Sequence, residues 1–435
     1  MSVRRVAVTG VGVVTGYGQG PEALWKGLVS GESAVREHRA RFGGKAWLDY
    51  PMVSLSDDVA TLATALPRQE IVRGEKLADD RDLVVIADCI RQALADARLG
   101  YDPDDNRVGL VVTHESPGLS DHLQGFFRWR KTARAWLKSK ARFDPPEFLY
   151  RLKNESVYRL HSFLYIHYLA ALFQLHGFSL YNNNACASGA FALSVAADRI
   201  RSGETDAIVV AGGDVPEDGT KFRWFRDAGL YSERGACRPF HADRDGLVLG
   251  SGGAAFVLED LDRAAAAGKR LYAEWLGAGF TSEGWRVTMP DVRGGWYAKA
   301  IDAALRSAGV APAEVSLVAP HGVGSGMLDQ FEAESLAAVF GTGGPPWPPL
   351  LVGKAALGHT LGGSVLVETA AALLALARSE LPEVVRCAAP DPRLPLEAPA
   401  AVRLPATDWV MLKCSNGFAG QNGAVVLRAP PSSTE

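Results

Sequence analysis

The sequence predicts an α/β protein whose sheet faces are both covered by helices. Two observations carry that expectation. Short apolar runs with strand character alternate along the chain with segments of helical spacing. Apolar residues make up 47% of the 435 positions, enough to bury two sizeable cores.

Taken in order, the elements fall into two sets. The first runs from Val6 through a helix over Asp82 to Ala97, a strand over Phe178 to Tyr181, a helix over Ala190 to Ile200, and strands at Ile208 to Asp214 and Ala254 to Asp260. An alanine-rich helix over Asp262 to Gly268 leads into the second set. That set comprises a strand over Tyr272 to Phe280, a helix over Tyr297 to Ala308, a strand over Val315 to Pro320 and a helix over Phe331 to Phe340. It continues with a strand over Leu350 to Gly353, a helix over Val365 to Arg378 and strands over Trp409 to Cys414 and Gly423 to Arg428. The expected division is 1–262 and 263–435. Between the two halves the residues show no repeat strong enough to align.

The most informative stretch is Tyr181-Asn-Asn-Asn-Ala-Cys186-Ala-Ser-Gly189-Ala, one cysteine among small residues where a strand gives way to a helix. A helix N-terminus favours a thiolate by only about 0.3 to 1 kcal/mol, so Cys186 also needs a basic partner. Two histidines in glycine-rich contexts are the candidates, His321 in Ala-Pro-His-Gly-Val-Gly-Ser325 and His359 in Gly353-Lys-Ala-Ala-Leu-Gly-His-Thr-Leu-Gly-Gly. Either one alone reads as a hydrogen-bonded structural residue. Both together, beside such a cysteine, read as a catalytic set.

These segments, in this order, resemble the β-ketoacyl synthases, the condensing enzymes of fatty acid and polyketide assembly. The likeness spans nearly the whole chain. It includes Arg4-Arg-Val-Ala-Val-Thr-Gly-Val-Gly-Val-Val-Thr-Gly16, Arg238-Pro-Phe-His-Ala-Asp-Arg-Asp-Gly-Leu-Val-Leu-Gly250 and Ser415-Asn-Gly-Phe-Ala-Gly-Gln-Asn422. The resemblance implies a thiolase-like fold, two related α/β halves in a five-layered αβαβα arrangement with the active site between them. It implies that Cys186 accepts the acyl chain and that His321 and His359 point N–H groups at the enolate formed when a malonyl thioester loses carbon dioxide. Preorganised donors of that kind are worth roughly 3 to 4 kcal/mol each. By the same likeness Lys354 belongs to the catalytic set, and Asp329 and Glu332 match an acidic pair that either supports the site or is a salt-bridge cluster of the fold. The backbone N–H groups of Cys186 and Phe418 are assigned to the oxyanion hole, and Thr288 and Ser325 to the pantetheine arm.

The sequence departs from the family pattern in places. Val323 and Ser325 replace two threonines after His321, Asn416 replaces an aromatic, Ala419 a glycine, and Ser251 stands where an acid is common. The stretch 117–177 departs most. It carries seven Lys or Arg and no acid between Arg128 and Arg142, then an aromatic run from Tyr158 to Leu175. The basic part is either a docking face for an acidic carrier protein or a solvated amphipathic helix, and the aromatics are either core and subunit interface or a substrate tunnel. A net charge of −3 gives no positive field for nucleic acid.

No apolar run reaches the roughly 18 residues needed to span a bilayer, and no secretory signal opens the chain, which points to a cytoplasmic enzyme. Five cysteines without CxxC spacing argue against a disulfide framework or a zinc site, and nine histidines form no HExxH pattern, so no metal is expected. Cys89, Cys237, Cys387 and Cys414 read as structural thiols.

The expected function is condensation of a Cys186-bound acyl chain with malonyl on an acyl carrier protein, in a specialised polyketide, polyene or fatty acid pathway. No cofactor is expected beyond the carrier's phosphopantetheine arm, and the chain is expected to act as a stand-alone subunit, a homodimer or a heterodimer with a ketosynthase-like partner. Two alternatives stay open: a non-condensing acyltransferase or thioesterase of the same fold, and a chain-length-setting partner subunit.

Overall fold

The computed structural model describes residues 3–42, 46–116, 161–342, 347–397 and 402–431. The first half contains β1 (Val6–Thr15), α1 (Pro21–Val29), a hairpin of β2 (Arg36–Phe42) and β3 (Ala46–Met52), α2 (Arg81–Asp96), β4 (Val108–Thr113), α3 (Phe163–Phe173), β5 (Ser179–Asn182), α4 (Ser188–Arg201), β6 (Ala207–Asp214), α5 (Thr220–Asp227) and β7 (Gly252–Asp260). The second contains β8 (Ala273–Ser282), α6 (Trp296–Ala308), β9 (Leu317–Ala319), α7 (Gly326–Phe340), α8 (Ser364–Ala377), β10 (Val410–Gly417) and β11 (Gln421–Arg428). Sequence reasoning missed the β2–β3 hairpin, whose strands are charged and weakly patterned. It also started α7 five residues late, because the first turn Gly326-Met-Leu-Asp lacks an apolar stripe. The strand expected over Leu350 to Gly353 is reduced to single bridges, Leu350 to Val318 and Leu351 to Arg386, since the chain turns at once into the short helix Lys354–Leu357.

The β2–β3 hairpin is a small sheet of its own, and the other strands form one sheet in the order β9-β10-β11-β8-β1-β7-β6-β4-β5. Its two halves repeat one topology. Strand β1 pairs antiparallel with β7, β7 antiparallel with β6, and β6 parallel with β4. In the second half β8 pairs antiparallel with β11, β11 antiparallel with β10, and β10 parallel with β9. The fifth position is filled by β5, parallel to β4, and by the Leu350 bridge, parallel to β9. The halves join where Val6–Val8 of β1 meet Ala273–Trp275 of β8.

The repeat extends to close packing. A Cβ at Gly10 or Gly12 of β1 would lie 2.2 Å from Ala93 O or 2.0 Å from Cys89 O of α2. One at Gly279 of β8 would lie 2.2 Å from Ala300 O of α6. In each half, glycine lets the outer helix lie directly on the strand.

Three apolar clusters correspond to three helical layers. Helices α2 and α3 pack on the outer face of the first half, around Val85, Ile86 and Ile90. Helices α6 and α7 pack on the outer face of the second, around Ile301, Leu305 and Leu336. Between the half-sheets lie α4 and α8, in contact with strands of both. Every residue of α8 from Ser364 to Leu376 is buried. This is the five-layered α/β arrangement expected of a thiolase-like fold. Its two middle helices start at equivalent places, α4 just after Cys186 and α8 just after the loop bearing His359.

Candidate active site

The loop around Cys186 is built from short polar side chains. Ser188 Oγ donates to Ala185 O at 2.6 Å and accepts from Asn184 N at 2.8 Å, while Asn182 Nδ2 reaches Ser188 O at 2.7 Å. These bonds hold Ala185 at φ 50°, a left-handed conformation that non-glycine residues rarely adopt, immediately before Cys186. From β10, Ser415 Oγ donates to Cys186 O at 3.0 Å. Gly417 lies so close that a Cβ there would sit 2.9 Å from Asn184 O and 3.3 Å from Cys186 N. The Phe418 backbone therefore follows directly beside Cys186.

The three residues singled out from the sequence converge. Cys186 Sγ lies 3.1 Å from His359 Nε2, and the rings of His321 and His359 are 5.6 Å apart, nearly perpendicular at 83°. The sulfur and one nitrogen from each ring all lie within 4.8 Å of one another. His359 is held through its backbone, its N–H donating to Val248 O at 2.7 Å and its carbonyl accepting from Gly250 N at 3.0 Å.

The loop carrying His321 is clamped from two sides. Glu332 of α7 accepts from His321 N, Gly322 N and Tyr297 Oη, each at 2.7 Å. Asp329 accepts from Val323 N at 3.1 Å, Gly324 N at 3.0 Å and Phe240 N at 2.7 Å. The acidic pair thus supports the loop's amides and does not face the thiol. On the other side the carbonyls are held by lysines. Lys354 Nζ donates to His321 O at 2.5 Å and to Glu368 Oε1 at 2.6 Å. Lys354, grouped with the catalytic set as a residue expected to support it, does not line the cleft; its ammonium reaches the His321 carbonyl. Sequence reasoning missed its partner Glu368 and a second lysine, Lys413. The signal was there: Glu368 is the one charged residue of an otherwise apolar helix, and Lys413 sits among Val410, Met411, Leu412 and Cys414. Buried charges in apolar elements need partners.

Burial sets the protonation states. Desolvation, followed by repulsion from Lys354, holds both His321 and His359 well below the usual imidazole range. Both rings are neutral at pH 7. Desolvation also pushes the Cys186 thiol up to about 12, aided by Glu115. The helix N-terminus therefore does not make a resting thiolate; its small favourable effect loses to burial. The site holds a neutral thiol against a neutral imidazole. Neither His321 Nδ1 nor His359 Nδ1 has a partner among the described residues, so neither tautomer is locked.

A narrow cleft opens onto Cys186, His321 and His359. Thr288 and Phe418 line it, as expected for substrate-contacting residues, and so do Val323 and Asn416. Ser325 does not; it is the buried residue that immediately precedes α7. The Phe418 ring packs on Trp224 and Phe225, at 5.3 and 5.9 Å. The basic stretch 125–143 lies outside the described residues. Of the aromatic run, the described part forms α3, whose Tyr165, Leu169 and Phe173 pack in the first-half core and do not line the cleft. Below Gly362 is a second buried cluster, in which His114 Nδ1 lies 2.8 Å from Asp214 Oδ1 and Glu115 pairs with Lys221.

Comparison with known proteins gives a consistent result. A protein-family model described as "Beta-ketoacyl synthase, N-terminal domain" matches residues 3–121 and 166–264, and its C-terminal counterpart matches 272–388. The chain is 27% identical over 440 residues to 3-oxoacyl-[acyl-carrier-protein] synthase 2 of Vibrio cholerae, covering 98% of this chain and 100% of that one. It is 28% identical over 438 residues to a putative polyketide beta-ketoacyl synthase 1 of Streptomyces cyaneus, covering 98% of each. Among solved structures, the ishigamide ketosynthase/chain length factor superposes with a TM-score of 0.80 at 26% identity, covering 98% of this chain and 100% of that one. No helix among the described residues is long and apolar enough to cross a membrane.

Proposed function

This chain belongs to the β-ketoacyl synthase family, and from that premise we propose that it extends an acyl chain bound on Cys186 by two carbons taken from a malonyl thioester on an acyl carrier protein. In the first half-reaction the thiol attacks the incoming thioester carbonyl while His359 Nε2 takes its proton. A new S–C bond forms at Cys186, the carrier's C–S bond breaks, and the proton leaves on the carrier's thiol. In the second, a malonyl thioester loses carbon dioxide, and the electron pair moves into an enolate whose oxygen lies against the N–H groups of His321 and His359. Its α-carbon attacks the acyl-Cys carbonyl, the bond to sulfur breaks, and one proton is taken up to restore the thiol.

The observation that carries this reading is the convergence of one thiol and two neutral imidazoles at the end of a cleft. Neutral rings can donate hydrogen bonds to an enolate and still exchange a proton with the thiol. The same set weighs against a chain-length-setting role, which needs no nucleophile. Thr288, Phe418 and the apolar Val323 would receive the pantetheine arm; no further cofactor enters the proposed chemistry. We place the reaction in the cytoplasm, within a specialised polyketide, polyene or fatty acid pathway, with the chain acting as a homodimer or beside a ketosynthase-like partner, as in the ketosynthase/chain length factor it resembles.

The test is intact-mass measurement after incubation with acyl carrier thioesters, then with malonyl carrier protein. The expected result is a mass gain that Cys186→Ala abolishes and that malonyl carrier protein discharges as a chain two carbons longer. Acylation without elongation, even with a partner subunit supplied, would support the acyltransferase alternative instead.

A further inference from the structure

Lys413 is 1% exposed, and its ammonium faces only oxygens. It lies 2.8 Å from Glu368 Oε2, 2.9 Å from Cys414 O, 3.1 Å from Pro320 O and 3.4 Å from Ala319 O. A neutral amine has two N–H groups and a lone pair, which would face a carbonyl here. Four acceptors around one nitrogen require the ammonium form. Burial pulls its proton affinity below the usual lysine range, and Glu368 offsets part of that loss. Glu368 itself is shared: Oε1 takes Lys354 and Oε2 takes Lys413.

This arrangement places two cations and one carboxylate behind His321. Lys413 fixes the carbonyls of Ala319 and Pro320, Lys354 fixes that of His321, and Glu332 and Asp329 fix the amides from His321 to Gly324. The loop thus has little freedom to move as charge develops. We propose that Lys413 is a positioning residue for the decarboxylation half of the reaction, a built-in cation that keeps His321 and His359 neutral and aimed at the enolate oxygen. The inference rests on the condensing function proposed above. Charged groups around the two rings are Lys354 on the 354–357 helix, Lys413 on β10, Lys221 on α5, Glu368 on α8, Glu332 and Asp329 on α7, and Glu283 after β8, with the Cys186 thiol before α4. Of the cations, Lys354 and Lys413 repel a proton from both rings.

The experiment measures malonyl-carrier decarboxylation against pH, with acylation of Cys186 as the internal control, for wild type and Lys413→Met. The variant leaves Glu368 paired with Lys354. Decarboxylation is expected to fall by about tenfold or more at pH 8 and to decline further as pH drops toward 6, a limb that wild type lacks, because each ring then binds a proton more readily. Acylation also uses His359, so it is compared at pH 8, where an imidazole of ordinary affinity is neutral; there it is expected to change by less than about threefold. A second variant, Lys413→Ala, empties the oxygen cage. Added methylammonium is expected to restore its decarboxylation, and its folding if that is impaired, in a saturable way that an equal concentration of glycerol does not match. An unshifted pH profile in Lys413→Met, equal loss of both half-reactions at pH 8, or equal rescue by glycerol would each overturn the proposal. Failure of wild type to decarboxylate any malonyl carrier would instead remove the condensing function, and this inference with it.

Discussion

Cys186 Sγ and His359 Nε2 stand 3.1 Å apart across 173 residues of sequence, whereas His321 forms no hydrogen bond to the sulfur. The proposed mechanism therefore gives the two histidines unequal shares in the two half-reactions. His359→Ala is expected to slow both acylation and decarboxylation, and His321→Ala to lower decarboxylation by about 10²- to 10³-fold while leaving acylation nearly intact. Separate assays of the two steps check this, and equal losses in both variants would contradict it.

The thiol's protonation state gives a second expectation. With its affinity pushed up to about 12 by burial, Cys186 carries a thiolate fraction that grows about tenfold per pH unit below that value. Alkylation of Cys186 by iodoacetamide, followed by mass, should accelerate steadily from pH 7 to 10. A plateau near pH 7 would mean that the helix N-terminus outweighs burial after all.

Glu332 accepts three hydrogen bonds, two of them from the loop that carries His321. Glu332→Gln turns an N–H donor toward donors already present. It is expected to destabilise the protein by about 1 to 3 kcal/mol in denaturant titrations and to reduce decarboxylation more than acylation. A variant with wild-type stability would show that the clamp is dispensable.

Ala419 sits at φ 59°, where a side chain is strained, and its N–H donates to Val287 O at 2.7 Å. Ala419→Gly relieves that strain and adds back some unfolded-state freedom. A net gain of up to about 1 kcal/mol in unfolding free energy is expected. Destabilisation would show that the alanine methyl makes a compensating contact.

A fourth group titrates in the opposite sense to the site histidines. Burial alone would lower the affinity of His114, but Asp214 beside it holds the imidazolium up to about 10. Its folded-state value lies above the unfolded value of about 6.5, so its contribution is complete below pH 6.5 and fades as pH rises toward 10. Thermal unfolding should therefore show a Tm that falls over that window, and the double variant His114→Gln, Asp214→Asn should flatten the fall. An equally steep fall in the double variant would assign it elsewhere.

By itself the sequence determined the alternation of strands and helices, the nucleophile at a strand-to-helix junction and the two histidines in glycine-rich loops, because each is written in local spacing and residue type. Tertiary structure decided the rest. The shared topology of the two halves has no sequence repeat behind it; it lies in strand pairing and direction, which many sequences satisfy. Lys413 and Glu368 were visible only as lone charges in apolar elements. Their meaning depends on β10 and α8 meeting behind Ala319 to His321. The Cys186 thiol stays protonated for the same kind of reason. Proximity to a helix end is legible locally, but the desolvation that outweighs it comes from residues far away in the chain, and only folding brings them over the sulfur.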